Sequence, residues 1–169
     1  DELENKTNEE TVIDFSKLES ASYVDLSQEI LQPEILLSIG QHQYKDKFYP
    51  TAMMTAGEFS AITAQSKAKK SFLKSAFLAS YIGGNSNLLF PNIKTHRNED
   101  FTVLDFDTEM SSYYAQRAFR RVVEMVGDNY EHYKCYVTRN LSSPERLKLI
   151  DYCLTNQSKL YKKPVKLIA

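Results

Sequence analysis

The sequence predicts an α/β fold with a mainly parallel sheet, and three observations support this class. Apolar segments typical of strands alternate with helical segments from residue 58 onwards. Hydrophobic residues make up 42% of the 169 residues and charged residues 25%, a globular composition that excludes wholesale disorder. The chain has no apolar run of about 18 residues, so no membrane span is expected.

The N-terminal segment 1–32 is predicted to be acidic and partly disordered, and the folded core to span residues 33–169. The first ten residues contain five acids and one base, whereas the remainder carries 17 acids and 20 bases. A solvated tail is the usual state of such an acidic start. Segment 11–50 is expected to be irregular, and it contains a basic-aromatic stretch at 44–50, YKDKFYP.

The regular pattern begins with EFSAITA at 58–64, whose β-branched and aromatic residues predict a strand. A lysine-rich turn follows at 65–70. Phe72, Phe77 and Tyr81 then belong to an apolar series at helical spacing, which predicts a helix with these aromatics on its core face. Gly83 and Gly84 end this helix, and residues 85–100 are expected to form a loop.

The second half continues the alternation. FTVLDFD at 101–107 is apolar enough for a strand covered on both faces. Residues 115–126 carry an apolar stripe that predicts an amphipathic helix, with Phe119 in the core and Gly127 as its stop. Further strands are predicted at 133–138 and 165–169, on either side of a helix that Ser143 caps.

The two cysteines, Cys135 and Cys153, have neither metal-ligand spacing nor an accompanying histidine pattern. This favours reduced thiols in a cytoplasmic protein.

The turn at residues 64–72, AQSKAKKSF, lies between a predicted strand and the start of a helix, which is a favourable place for an anion. Lys70 and Ser71 match the last two positions of the phosphate-binding pattern G-x-x-x-x-G-K-[ST], while Ala64 and Lys69 stand in place of its glycines. In such a loop the lysine neutralises phosphate charge and the hydroxyl ligates Mg²⁺. A basic turn at a solvated helix start is the alternative, although repulsion among the clustered lysines favours a bound anion.

The strand at 101–107 ends in an acidic segment. Asp105 and Asp107 alternate to one side, and Glu109 follows just past the strand. Ligands of α/β proteins bind at the carboxyl ends of parallel strands, where a carboxylate can orient an attacking water. The alternative is an acidic loop that caps the helix beginning near Ser111 or Ser112.

Together, the loop QSKAKKSF and the strand end LDFDTEMSSYYAQRAFRRV resemble RecA-like P-loop ATPases of the RepA type, found in plasmids, mobile elements and phages. That family carries a variant Walker A loop with a central lysine, then F-D-T-E-Q, a helix with paired arginines and a later L-S-P-E-R-L. The segment LSSPERL at 141–147 is similar to the last motif, and TAGEFSAITA to the lead-in of the loop. The resemblance covers about residues 33–169.

The resemblance implies a role for each matching position. Lys70 binds β- and γ-phosphate, Lys67 also reaches phosphate, and Glu109 activates water. Ser71 holds Mg²⁺, and Asp107 supports the metal or the glutamate. The implied cofactor-binding segment consists of Gln65, Ser66, Lys67, Ala68, Lys69, Lys70, Ser71 and Phe72.

At the level of the whole protein, the resemblance implies a three-layer sandwich of which this chain is the N-terminal portion, with the Walker B acid following VKLIA beyond Ala169. It implies ATP and Mg²⁺ as cofactors, hydrolysis coupled to DNA replication or mobilisation, and a homo-oligomeric ring that contacts DNA but no membrane. The alternative is a degenerate, non-hydrolysing P-loop domain that acts as a protein-interaction module. A third possibility is that the clustered lysines bind nucleic acid directly.

Overall fold

A computed structural model describes residues 13–63, 65, 69–84, 89–96, 99–127 and 130–169. The chain divides into two units, Asp1–Gln32 and Pro33–Ala169. The described part of the first unit holds helix α1 (Phe15–Ser22), whose first turn is capped by the Asp14 side chain. This helix was not predicted from the sequence. All other elements belong to the second unit.

The second unit begins with an antiparallel sheet in the order β2-β1-β3. Its strands are β1 (Ile35–Tyr44), β2 (Lys47–Thr55) and β3 (Ile93–Thr95). The expectation that segment 11–50 is irregular is therefore wrong, and so is the loop expected throughout 85–100. The buried residues of β1 are contiguous, Leu36 to Ser38, and every residue of the strand after them is exposed. The alternation of apolar and polar residues that predicts a half-buried strand is therefore missing.

A parallel sheet follows in the order β5-β4-β6. It is built from β4 (Thr102–Asp107), β5 (Tyr133–Val137) and β6 (Val165–Ile168), each close to its predicted position. The α/β class is thus confirmed, but only these three described strands run parallel. The strand predicted at 58–64 is wrong, because residues 58–63 form no strand and Phe59 is 92% exposed. Residue 64 lies outside the described residues.

The predicted helices are confirmed as α2 (Lys70–Gly83), α3 (Ser112–Val126) and α4 (Ser143–Thr155), and a short α5 (Gln157–Leu160) follows. Gly84 and Gly127 cap α2 and α3 with positive φ angles of 68° and 80°. The N-cap of α4 is Ser142, one residue before the predicted Ser143.

Two apolar clusters lie on the two faces of β4. Val103 packs with residues of β1, α2 and α3, including Leu37, Tyr81 and Val122. Leu104 packs on the other side with Cys153 and Tyr161, because successive residues of a strand point to opposite faces. Both cysteines are free thiols, as predicted. In the part of the chain that the structure describes, no helix has the length and apolar character needed to cross a membrane.

Candidate functional site

A cavity of about 400 Å³ lies between the first turn of α2 and the carboxyl end of β4. Both elements belong to the second unit of the chain. The polar and charged side chains on its wall are Ser60, Lys70, Ser71, Lys74, Ser75, Asp105, Asp107, Thr108 and Glu109. Two ammonium groups and three carboxylates therefore share one small space with the N-terminal end of a helix.

The first turn of α2 supplies the cationic side of the cavity. Lys69 is the N-cap residue, with the left-handed angles φ 58° and ψ 32°, and its side chain makes no capping hydrogen bond. Lys70 and Ser71 are the first two helical residues, and no acid lies in the first turn. The leading amides of a helix have no partner within it, and the helix dipole adds positive potential there. This end of α2 is therefore suited to hold an anion.

The end of β4 supplies the acidic side. Asp107 is buried, and its Oδ1 accepts the backbone N–H groups of Glu109 at 3.1 Å and Met110 at 2.6 Å. The Asp107 carbonyl accepts both the N–H and the hydroxyl of Thr138, at 2.7 and 3.0 Å. Asp107 thus fixes the turn that leads to α3, and this turn carries the exposed Glu109 to the cavity wall.

A partly buried ion pair connects the two sides. Lys74 Nζ lies 2.6 Å from Asp105 Oδ1, and the Tyr133 hydroxyl donates to Asp105 Oδ2 at 2.5 Å. The Asp105 side chain is 2% exposed and the Lys74 side chain 33%. Burial raises the pKa of Tyr133 above its ordinary value, and the neighbouring Asp105 carboxylate raises it further. Tyr133 therefore stays protonated and keeps donating to Asp105.

The structure brings four of the predicted site residues to one cavity, namely Lys70, Ser71, Asp107 and Glu109. Three others do not line it. Gln65 and Lys69 are exposed to solvent, and Phe72 is 45% exposed with the Arg121 guanidinium 5.8 Å from its ring centroid. The prediction that Phe72 is a core residue is wrong, because nearly half of its side chain is exposed to solvent. Ser66, Lys67 and Ala68 lie outside the described residues.

No role in the site was predicted for Lys74, Asp105 or Tyr133, although Asp105 belongs to the acidic strand end and Lys74 to the clustered lysines. Lys74 follows Lys70 by one helical turn, and Asp105 precedes Asp107 by one strand repeat, so both spacings were available in the sequence. Nothing local indicated Tyr133, because its contact with Asp105 depends on the pairing of β4 with β5. The ion pair also lowers the net positive charge of the lysine cluster, because the Asp105 carboxylate already neutralises Lys74.

Within the described ranges, no group of three or more His, Cys, Asp or Glu side chains is arranged to hold a metal ion. The Asp105 carboxylate accepts from Lys74 and Tyr133, and the Asp107 carboxylate accepts from backbone amides. The arrangement can bind an anion at the α2 end, with carboxylates at the opposite wall to receive a proton or an ion carried by that ligand.

Comparisons with known proteins do not assign the chain to a family. No protein-family model, no curated protein and no solved structure matches it.

Proposed function

We propose that this chain binds ATP in the cavity between α2 and β4, as a RecA-like module. One observation carries the proposal: Lys70 and Ser71 line the same cavity as Glu109, although 39 positions separate Lys70 from Glu109. The cavity volume of about 400 Å³ falls within the range of about 300–1,000 Å³ typical of small-molecule sites.

The cationic wall would hold the phosphates. Lys70 would contact β- and γ-phosphate through its ammonium group, with the first amides of α2 beside it. Lys69 occupies the second glycine position of the phosphate-binding pattern, and its φ of 58° is the left-handed conformation that glycine adopts most easily. The backbone at this position therefore has a conformation that the pattern's glycine would also allow, despite the lysine side chain.

The residues present fit a magnesium ion that arrives with the nucleotide. Mg²⁺ is usually held by one or two protein oxygens together with substrate phosphates, so a dedicated cluster of ligands is not required. Ser71 would contribute its hydroxyl. Asp107 would contribute its carboxylate, whose Oδ1 also accepts two backbone hydrogen bonds. The ion would neutralise charge on the β- and γ-phosphates.

Glu109 is the residue proposed to activate water for in-line attack on the γ-phosphate. Its side chain is exposed at the cavity wall, and the hydrogen bond from its N–H to Asp107 fixes its backbone. An ionised carboxylate in this place can accept the proton of the attacking water.

The proposal includes a three-layer RecA-like core, which the packing of β4 against apolar clusters on both faces supports. It also includes a role of the complete protein in DNA replication or mobilisation, as a homo-oligomeric ring in the cytoplasm. These last parts rest on the sequence resemblance alone.

Nucleotide titration tests the proposal. A fluorescent ATP analogue with Mg²⁺ should bind the chain with a Kd below about 1 mM. Loss of a hydrogen bond to a charged group costs about 1.5–3 kcal/mol, so Lys70→Ala should weaken binding roughly 10- to 100-fold. Lys148→Ala, which removes an exposed lysine from α4, is the matched control and should leave the affinity unchanged. Absence of binding by the unaltered chain at millimolar nucleotide would contradict the proposal.

A second candidate is a non-hydrolysing domain that acts as a protein-interaction module. It is favoured by the internal use of two acids, since Asp105 is paired with Lys74 and Asp107 holds the turn before α3. Phosphate release separates the two candidates. Hydrolysis that Glu109→Gln abolishes while nucleotide binding persists favours the ATPase, and binding without any release favours the interaction module.

A further inference from the structure

The hairpin of β1 and β2 extends beyond its sheet as a two-stranded ribbon. β3 pairs with β1 at residues 37–39, and the N–H of Gly40 donates to the carbonyl of Asn92. Past Gly40, no third strand pairs with the hairpin anywhere in the described ranges. Every residue from Gln41 to Tyr49 is exposed. This ribbon therefore has two strands and no core beneath it.

The ribbon nevertheless carries large aromatic side chains. Tyr44 is 62% exposed, Phe48 66% and Tyr49 41%. Two-stranded ribbons are marginally stable in water, and exposed rings of this size add little to their stability without a packing partner. Clustered exposed rings are a usual mark of a surface that contacts another molecule.

The strand register sorts these side chains onto two faces. His42 lies opposite Tyr49, and Tyr44 lies opposite Lys47. Because alternate residues of a strand share a face, these four side chains form one surface, here called the tyrosine face. Gln43 and Phe48 form the neighbouring cross-strand pair and point to the opposite side.

The contacts within the tyrosine face bring rings and cations together. The His42 and Tyr49 rings are stacked, with centroids 6.1 Å apart and an interplanar angle of 30°. Lys45 Nζ, from the turn, lies 5.4 Å from the centroid of the Tyr44 ring. Lys45 and Lys47 thus lie close to the two tyrosines, and Asp46 is the one acid in the sequence between residues 38 and 55.

We propose that the tyrosine face binds single-stranded nucleic acid without sequence preference. Flat rings stack on bases, and lysines beside them neutralise the phosphates that connect those bases. A protein partner is the less suitable occupant, because lysine is depleted at the centre of protein interfaces whereas here it adjoins the rings. This surface is separate from the proposed nucleotide site, so the inference does not depend on ATP binding.

The test is fluorescence anisotropy with a labelled oligothymidylate of about 12 nucleotides, at low salt and without ATP. The unaltered chain should bind. Tyr49→Ala removes one stacking ring and should therefore weaken the affinity for the oligonucleotide roughly 5- to 150-fold. Phe48→Ala is the matched control, because it removes a ring from the opposite face that is even more exposed, 66% against 41% for Tyr49. It should leave the affinity within about twofold.

Salt dependence provides a second measurement that does not rely on removing a ring. If Lys45 and Lys47 each contact a phosphate, the slope of log Kobs against log salt should be about −1.4, and Lys47→Gln should bring it to about −0.7. Far-UV circular dichroism of each variant verifies that the fold is retained.

Three outcomes would overturn the inference. The first is that the unaltered chain does not bind the oligonucleotide. The second is that Tyr49→Ala and Phe48→Ala weaken binding equally, or that Lys47→Gln leaves the salt slope unchanged. The third is that Tyr49→Ala changes only the self-association of the chain, measured by sedimentation, which would identify a second copy as the occupant.

Discussion

Removing either partner of the buried pair between Lys74 and Asp105 should destabilise the protein, but by unequal amounts. Lys74→Met keeps the length of the side chain and removes its charge, leaving the carboxylate of Asp105 without a cation. Asp105→Asn keeps the shape of the acid and leaves the ammonium of Lys74 without an anion. The expected inequality follows from where each remaining charge lies.

The Asp105 side chain is 2% exposed, so its carboxylate is poorly hydrated once Lys74 is gone, and among the described residues the hydroxyl of Tyr133 is the hydrogen-bond donor that remains. Breaking a buried pair in this way costs about 3–5 kcal/mol of the free energy of unfolding. The Lys74 side chain is 33% exposed and can turn to the water of the cavity. The amide oxygen of an asparagine still accepts from Tyr133, so Asp105→Asn should cost about 2 kcal/mol, the loss of one charged hydrogen bond.

Urea unfolding followed by far-UV circular dichroism measures both free energies, since the chain has no tryptophan to report by fluorescence. Lys162→Met is the matched control, because Lys162 pairs with Glu131 at 3.3 Å while 78% exposed, and should cost below about 0.5 kcal/mol. The double variant Lys74→Met with Asp105→Asn should be more stable than Lys74→Met alone, because no buried charge remains. Equal costs for the two single variants, or a cost below about 1 kcal/mol for Lys74→Met, would refute this reasoning.

Two further predictions concern helix ends. The Glu145 carboxylate accepts from the N–H and hydroxyl of Ser142, at 2.8 and 2.6 Å, and the bonds from Ser142 lower the pKa of Glu145. Because its pKa is lowered in the folded state, the ionised Glu145 stabilises the fold at pH values above the ordinary pKa of about 4.3. In thermal unfolding, Glu145→Gln should therefore be less stable than the unaltered chain at neutral pH. This difference in stability should disappear as the pH falls through the folded-state pKa. Gly127 has φ 80° and open space where a Cβ would lie. Gly127→Ala should therefore lower the free energy of unfolding by about 1 kcal/mol through backbone strain alone, measured by urea unfolding. An unchanged urea midpoint would contradict that account.

The sequence predicted the elements that an apolar pattern defines by itself. Helices α2 and α3 have apolar faces at helical spacing, and β4 is apolar because both of its faces are covered. The segment expected to form a strand at 58–64 had the composition of a strand, but its described residues, 58–63, pair with no strand that the structure describes. Strand propensity depends on such neighbours. The β1–β2 hairpin was missed for the opposite reason, because it has a pairing partner but exposes most of its side chains.

Part of the candidate site was also predictable from local sequence patterns. Ligands gather at the carboxyl ends of parallel strands, and this rule predicted the place of Asp107 and Glu109. Lys70 and Ser71 were predicted from the phosphate-binding pattern at a helix start, and the family resemblance joined the two sets. The contact of Lys74 with Asp105 could not be predicted, because it depends on the rotation of α2 about its axis as it packs on β4. No local pattern records that rotation.

The alternation of side chains along β4 limits how this strand can change. Asp105 and Asp107 point towards α2, while Leu104 and Phe106 point towards the cluster around Tyr161. Insertion or deletion of one residue within the strand would exchange the two sets, placing carboxylates among aromatic rings and apolar groups against ammonium. Length variants of this protein should therefore be confined to places such as the tip of the β1–β2 ribbon, where neither side is enclosed, and the central strand should keep a constant number of residues.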